Sequence, residues 1–173
     1  SFPSELLERL ANKLDELSNN DEVAVIVLKS EGNRAFCAGA SFDELVAIEN
    51  LVDGKNFFSG FANVINAMRS CPKLIIGRIQ GKTVGGGVGL AAACDYVLAT
   101  EHAAIKLSEF TIGIGPFVIA PAVKRKVGVS GLAELTLDAT SWKNAYWAKE
   151  KGLYARVFEN IEQLDNEIEV FTE

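Results

Sequence analysis

The chain has 173 residues, 49% of them hydrophobic and 23% charged, which supplies one sizeable core and is too short for two full domains. The same balance excludes a disordered chain. Seventeen Lys and Arg against twenty-three Asp and Glu leave a net charge of −6, so no overall attraction to nucleic acid or to an anionic membrane surface is expected.

The longest stretch without a charged residue, 110–123, is shorter than the ~20 residues of a membrane helix and is interrupted by glycine and proline. The chain opens on Ser1-Phe2-Pro3, with no initiator Met and no basic-then-apolar leader, which points to a trimmed or incomplete chain without a secretion signal. Cys37, Cys71 and Cys94 are odd in number and widely spaced, and they read as reduced thiols of a cytoplasmic protein. With His102 as the single histidine, read as an exposed loop residue, no metal site is expected.

Leu6, Leu7, Leu10, Leu14 and Leu17 recur at helical spacing among charged residues, which predicts an amphipathic helix over 3–17 ended by Asn19-Asn20-Asp21. Residues 23–28 are nearly all β-branched or aliphatic, the pattern of a strand buried on both faces. After a turn at Glu31-Gly32-Asn33 comes Phe36-Cys37-Ala38-Gly39-Ala40, too rich in small residues for an ordinary strand. A short helix is predicted over 42–48. A longer one follows, with an apolar stripe of Phe57, Phe58, Phe61, Val64, Ile65 and Met68, stopped near Cys71-Pro72; its aromatic residues read as core.

Residues 74–79 predict a second buried strand, after which the chain turns through Gln80-Gly81 into Gly85-Gly86-Gly87-Val88-Gly89 and a short helix to Cys94. Two short strands are predicted at 96–99 and 104–107. Gly113, Gly115 and Pro116 mark a loop before a helix at 118–127, and Ser130 is placed to cap another. Lys124-Arg125-Lys126 is the one compact basic run and reads as a solvated helix face. A helix over 142–151 closes on Gly152, a strand follows at 153–158, and the acidic tail has helical spacing to residue 173. Strands alternating with helices predict an α/β fold, divided into a core of 1–158 and a C-terminal segment of 159–173.

Three adjacent glycines at a helix start remove every Cβ, so something comes close to the main chain there. One reading is a tight helix-to-strand contact. Another is a Rossmann-type domain binding NAD: Gly87-Val88-Gly89-Leu90-Ala91-Ala92 fits G-x-G-x-x-A, and Glu109 lies near the offset of a ribose-binding acid. A third is an oxyanion site, in which amides at the free helix end stabilise a carbonyl oxygen becoming an enolate, with the turn at Ala38-Gly39-Ala40 supplying a second donor. A serine hydrolase is disfavoured, because Gly128-Val129-Ser130-Gly131 misses G-x-S-x-G.

Phe36-Cys37-Ala38-Gly39-Ala40, Gly85-Gly86-Gly87 with Cys94-Asp95 after it, and Leu107-Ser108-Glu109 followed by Gly113 and Pro116 resemble, in order and spacing, the crotonase family of enoyl-CoA hydratases and isomerases. The resemblance implies a ββα spiral, here lacking part of the N-terminal hairpin and most of the C-terminal helical region, either as a fragment or with those parts supplied by a partner chain. It implies coenzyme A thioesters as substrates and no permanently bound cofactor. The amides of Ala40 and Gly86 would form the oxyanion hole, Ala38 would lie against the CoA moiety, and Glu109 would move protons at the α carbon. Gly89, Pro116 and Phe117 would also meet the substrate. A homotrimer or hexamer is implied, with the apolar stretch 117–123 as contact surface.

Departures from the family pattern narrow the reaction. Hydratases of the family carry a second glutamate where this chain has Gly89, a glycine where it has Phe117, and Asp where it has Ser41. One carboxylate suits double-bond isomerisation better than hydration. Glu44 or Asp43 are candidates for a replacement carboxylate. The rival reading is a non-catalytic CoA-ester-binding or assembly subunit of the same fold.

Overall fold

Aliphatic runs too short to be buried alone need neighbours on both sides, and here they find them by winding. The computed structural model describes residues 1–173. In chain order the elements are α1 (Ser4–Ser18), β1 (Val25–Leu28), α2 (Phe42–Val46), α3 (Leu51–Ser70), β2 (Leu74–Ile79), β3 (Thr83–Val84), α4 (Gly86–Ala93), β4 (Tyr96–Thr100) and β5 (Ile105–Lys106). A 3₁₀ turn (Glu109–Ile112), α5 (Ala120–Leu137), α6 (Ala145–Lys151), β6 (Arg156–Phe158) and α7 (Ile161–Thr172) complete the chain.

Two sheets result. The larger is parallel throughout in the order β1-β2-β4-β6, with Val27 opposite Ile76 and Gly77 opposite Val97. The smaller pairs β3 with β5 in parallel, and single bridges extend it to Cys37 beside Thr83 and to Lys143 beside Ile105. Each of three successive windings therefore lays one segment in each sheet before passing into helix: β1 then Cys37, β2 then β3, β4 then β5. This is the α/β, ββα spiral that the motifs implied.

Strand alternation divides the interior. Ile75, Ile79, Val97 and Ala99 face the main core with α3, α4 and α5, whereas Ile76 and Leu98 face away and are covered by Leu164 and Ile168 of α7. Arg78, on that second face and 9% exposed, donates to Asp165 of α7 through Nε at 2.5 Å and Nη2 at 2.9 Å. The acidic segment is thus held to the sheet by an apolar contact and a two-pronged ion pair. No helix is long and apolar enough to cross a membrane.

Several boundaries differ from expectation. β3 has only two residues between glycine-containing turns, too few for a period-2 signal, and was not predicted. α5 consists of two helices that meet at Gly128, whose φ of 73° and ψ of 178° break the helix between the two expected segments, but Ser130 makes no cap bond. Trp142 is not helical, Lys143 bridges to the smaller sheet, and α6 starts after Asn144, whose side chain accepts from the Trp147 amide. Gly152 closes α6 at φ 94°, as expected.

Candidate active site

Neighbouring parallel strands deliver the residues after them to one edge, the usual place for a ligand in such sheets. After Cys37 come Ala38, Gly39 and Ala40; after β3 come Gly85 and Gly86; after β5 come Ser108 and Glu109. These three segments line one cavity of about 730 Å³. The first two touch through their backbones. Gly39 has φ +87°, and a Cβ there would stand 3.1 Å from the Val84 carbonyl oxygen and 3.8 Å from the Gly86 nitrogen, so glycine is required by both conformation and space. The Gly39 carbonyl accepts from the Phe2 amide, and the Gly85 amide donates to the Lys106 carbonyl, which fixes both turns. Neither the Ala40 nor the Gly86 N–H donates to any acceptor in the protein; Gly86 opens α4, where a helix leaves its first amides unsatisfied.

Glu109 begins the 3₁₀ turn and reaches back to the glycine turn. Its Oε1 is 3.1 Å from the point where a Cβ of Gly85 would stand, and its Oε2 is buried with no hydrogen-bond partner. Burial raises the carboxyl above the ordinary glutamate value, against a smaller opposing effect of its own backbone amide. Glu109 is the one ionisable group on the cavity wall. The rest is largely apolar: Phe57, Phe58 and Phe61 of α3, Pro116 and the exposed Phe117 at the rim, and Ile119.

Ala38, Ala40, Gly86, Glu109, Pro116 and Phe117 are all brought together on this wall. Gly89 is not. It is buried in α4, and a Cβ there would fall 2.4 Å from Ile119 Cγ2 and 2.7 Å from Ile119 Cβ, so Ile119 lines the cavity in its place. The aromatic stripe expected as core alone also forms the cavity wall, and Phe61 serves both: it is 6% exposed, and its ring lies 2.5 Å from where a Gly86 Cβ would be.

The replacement carboxylates are committed elsewhere or absent from the wall. Glu44 accepts from the Ser4 amide and, at 2.5 Å, from the Ser4 hydroxyl at the start of α1, and Asp43 does not line the cavity. Ser41, on the wall, accepts from the Glu44 amide and caps α2. Of the stretch 117–123, Ile119, Ala122 and Val123 are buried in the chain's own core, leaving Phe117 and Pro121 as its exposed part. Lys124 and Arg125 are solvated as expected, while Lys126 donates to the Asp95 carbonyl. His102 is exposed.

Sequence reasoning missed Ile119 and the cavity-facing side of α3. Neither carries a motif, since an isoleucine and a phenylalanine stripe look the same in a core and in a pocket. The NAD reading fails on chemistry, because the Glu109 carboxylate occupies the space before the glycine turn where a pyrophosphate would have to lie.

Known proteins share this sequence pattern and fold. The sequence profile of the enoyl-CoA hydratase/isomerase family matches residues 1–173. The chain is 32% identical to the mitochondrial methylglutaconyl-CoA hydratase of Mus musculus, over 92% of its own length and 51% of that protein. It is 29% identical to the peroxisomal Delta(3,5)-Delta(2,4)-dienoyl-CoA isomerase of Arabidopsis thaliana, over 92% and 61%. The crystal structure of an enoyl-CoA hydratase from Mycobacterium smegmatis superposes with a TM-score of 0.93 at 28% identity, covering 99% of this chain and 66% of that one. The chain thus spans between half and two thirds of the length of these relatives. A profile that accounts for every residue, on a fold shared at that TM-score, places the chain in the enoyl-CoA hydratase/isomerase family.

Proposed function

We propose that the protein is an acyl-CoA enzyme of the enoyl-CoA hydratase/isomerase type that moves a double bond by proton transfer, with isomerisation favoured over hydration. The reading rests on one observation: the Glu109 carboxylate has a buried, unpartnered oxygen in an apolar cavity that also presents the unpartnered amides of Ala40 and Gly86. An ionised carboxylate is costly to hold that way unless it has work at the site.

The chemistry follows from the parts. With the thioester carbonyl on the two amides, Glu109 takes a proton from C2 of a 3-enoyl thioester, and the electron pair of that C–H bond flows into an enolate oxygen. Each amide donor to such an oxygen is typically worth about 10²–10³ in rate. Collapse of the dienolate takes the same proton back at C4 and leaves the double bond between C2 and C3. One group serves as base and then acid, and a raised pKa suits it to both. Hydration instead needs a water delivered to C3 as well, and the wall has no second carboxylate to hold it. The relatives include both a hydratase and an isomerase, so this preference comes from the wall rather than from likeness.

Exposed Phe42, Leu51 and Phe117 lie on α2, at the start of α3 and after Pro116, apolar surface that we assign to contacts within a trimer or a dimer of trimers. Light scattering of the full-length protein checks this; a stable monomer at micromolar concentration overturns it.

The activity is tested by incubating the protein with 2-enoyl-CoA and 3-enoyl-CoA of several chain lengths and following absorbance of the conjugated thioester. Conjugation of the 3-enoyl substrates is expected. Glu109→Gln is expected to lose most of the turnover, on the order of 10²-fold or more, while acyl-CoA affinity stays within a few-fold. Equal turnover in that variant overturns the role of Glu109.

A further inference from the structure

We infer that Ile119 determines which reaction Glu109 performs, by filling the space beside the carboxylate where an attacking water would have to stand. The inference rests on the activity proposed above and concerns its specificity. Gly85 caps α4 and Gly89 lies one turn in, and the Gly89 amide donates to the Gly85 carbonyl at 3.4 Å. The first glycine has Glu109 against it and the second has Ile119 against it. Carboxylate and isoleucine thus pack against the first turn of the same helix, and both line the cavity.

The fit at Gly89 is close. A Cβ there would overlap Ile119, and Ile65 Cδ1 would stand 3.3 Å away, so the space before this turn is filled by hydrocarbon. Ile119 is itself held firmly: it is 3% exposed, its carbonyl accepts from the Val123 amide, and the next residue's amide donates to the Pro116 carbonyl. A retained water takes two to four polar partners. Against Gly89, Ile119 and Ile65 offer it none. Water is thereby excluded from the place where it could be activated by Glu109, and the proton that Glu109 removes can only return to the substrate.

The test compares Ile119→Thr with Ile119→Val, which have nearly the same shape and differ by a hydroxyl, and adds Ile119→Ala, which opens room. Each is made in the full-length protein and its fold is checked by circular dichroism. Hydration of 2-enoyl-CoA and isomerisation of 3-enoyl-CoA are measured for all. The ratio of hydration to isomerisation is expected to rise about tenfold or more in Ile119→Thr relative to Ile119→Val, and to rise in Ile119→Ala. A second readout separates this from simple loss of packing. No other titratable group lines the cavity, so the acid limb of the pH–rate profile reports Glu109, and it should move to lower pH in Ile119→Thr as the carboxylate gains a polar neighbour. An unchanged ratio together with an unmoved acid limb in a folded Thr variant overturns the inference. A wild type that isomerises nothing overturns the proposed activity instead, whatever the variants do.

Discussion

At Glu109, stability and the proposed chemistry pull in opposite directions. Its folded-state pKa is raised by burial, so the folded protein holds the proton more tightly than the unfolded chain does. Such a group favours folding most below the ordinary glutamate value of about 4.3, and that contribution is lost as pH rises through the raised value. Above it, the ionised carboxylate with its unpartnered oxygen weakens the fold. Glu109→Gln should therefore melt at a higher temperature than wild type near neutral pH, with the gap closing as pH falls toward about 4. Thermal melts across that range check it; a variant less stable than wild type at neutral pH contradicts it. Glu109 was legible in the sequence only through its company, the small-residue turn and the glycine run at family spacing. Ile119 was not legible at all, because what identifies it is the missing side chain at Gly89, far away in the chain and pressed against it only after folding. The expectation that Gly89 meets substrate came from the family pattern, which sets a second glutamate at that position and says nothing of what packs against a glycine there.

Among elements, α7 shows how a polar-looking segment is secured. Its acidic sequence hides one fully buried side chain, Leu164, and two ion pairs to the sheet, Arg78 with Asp165 and Arg156 of β6 with Glu167. Hydrogen bonding from Arg78 holds the Asp165 carboxyl below its ordinary value, so its contribution is present above about pH 3.9 and is lost as pH falls through the depressed value. Leu164→Ala is expected to cost about 2–4 kcal/mol at any pH, as a cavity does. Asp165→Asn is expected to cost on the order of 1 kcal/mol at neutral pH, because the carboxylate is nearly half exposed and screened, and almost nothing in acid. Denaturant titrations of both variants at two pH values separate the two costs; an Asp165→Asn penalty that persists in acid would show that the ion pair is not its source. Elements of this kind were readable where periodicity ran long enough, as in α1, α3, β2 and α7. β3 was not, since two residues carry no period, and with it went any sight of the smaller sheet that aligns the three loops.

For the whole molecule, hydropathy and spacing showed strands alternating with helices, which describes many α/β arrangements equally well. The spiral came from the motifs' likeness to a family, because nothing in an apolar run states which of two sheets it will join. The physical content of the likeness is now visible in Cys37, β3 and β5: three windings end side by side, and each contributes one part of the site. A ligand that engages Ala40, Gly86 and Glu109 together therefore acts on the chain as a removable cross-link. It ties points far apart in sequence, and unwinding any one turn requires letting go. Acyl-CoA at 100 times its dissociation constant would add about 2.7 kcal/mol to every opening that breaks the site, and nothing to openings that leave it whole. Amide hydrogen exchange should accordingly slow over β1 to β5 on ligand binding while α7, which clasps the far face of the sheet, exchanges as before; uniform slowing, or none, would mean the three loops do not hold the ligand jointly. Substrate, on this view, is a transient staple of the winding that created its own binding place.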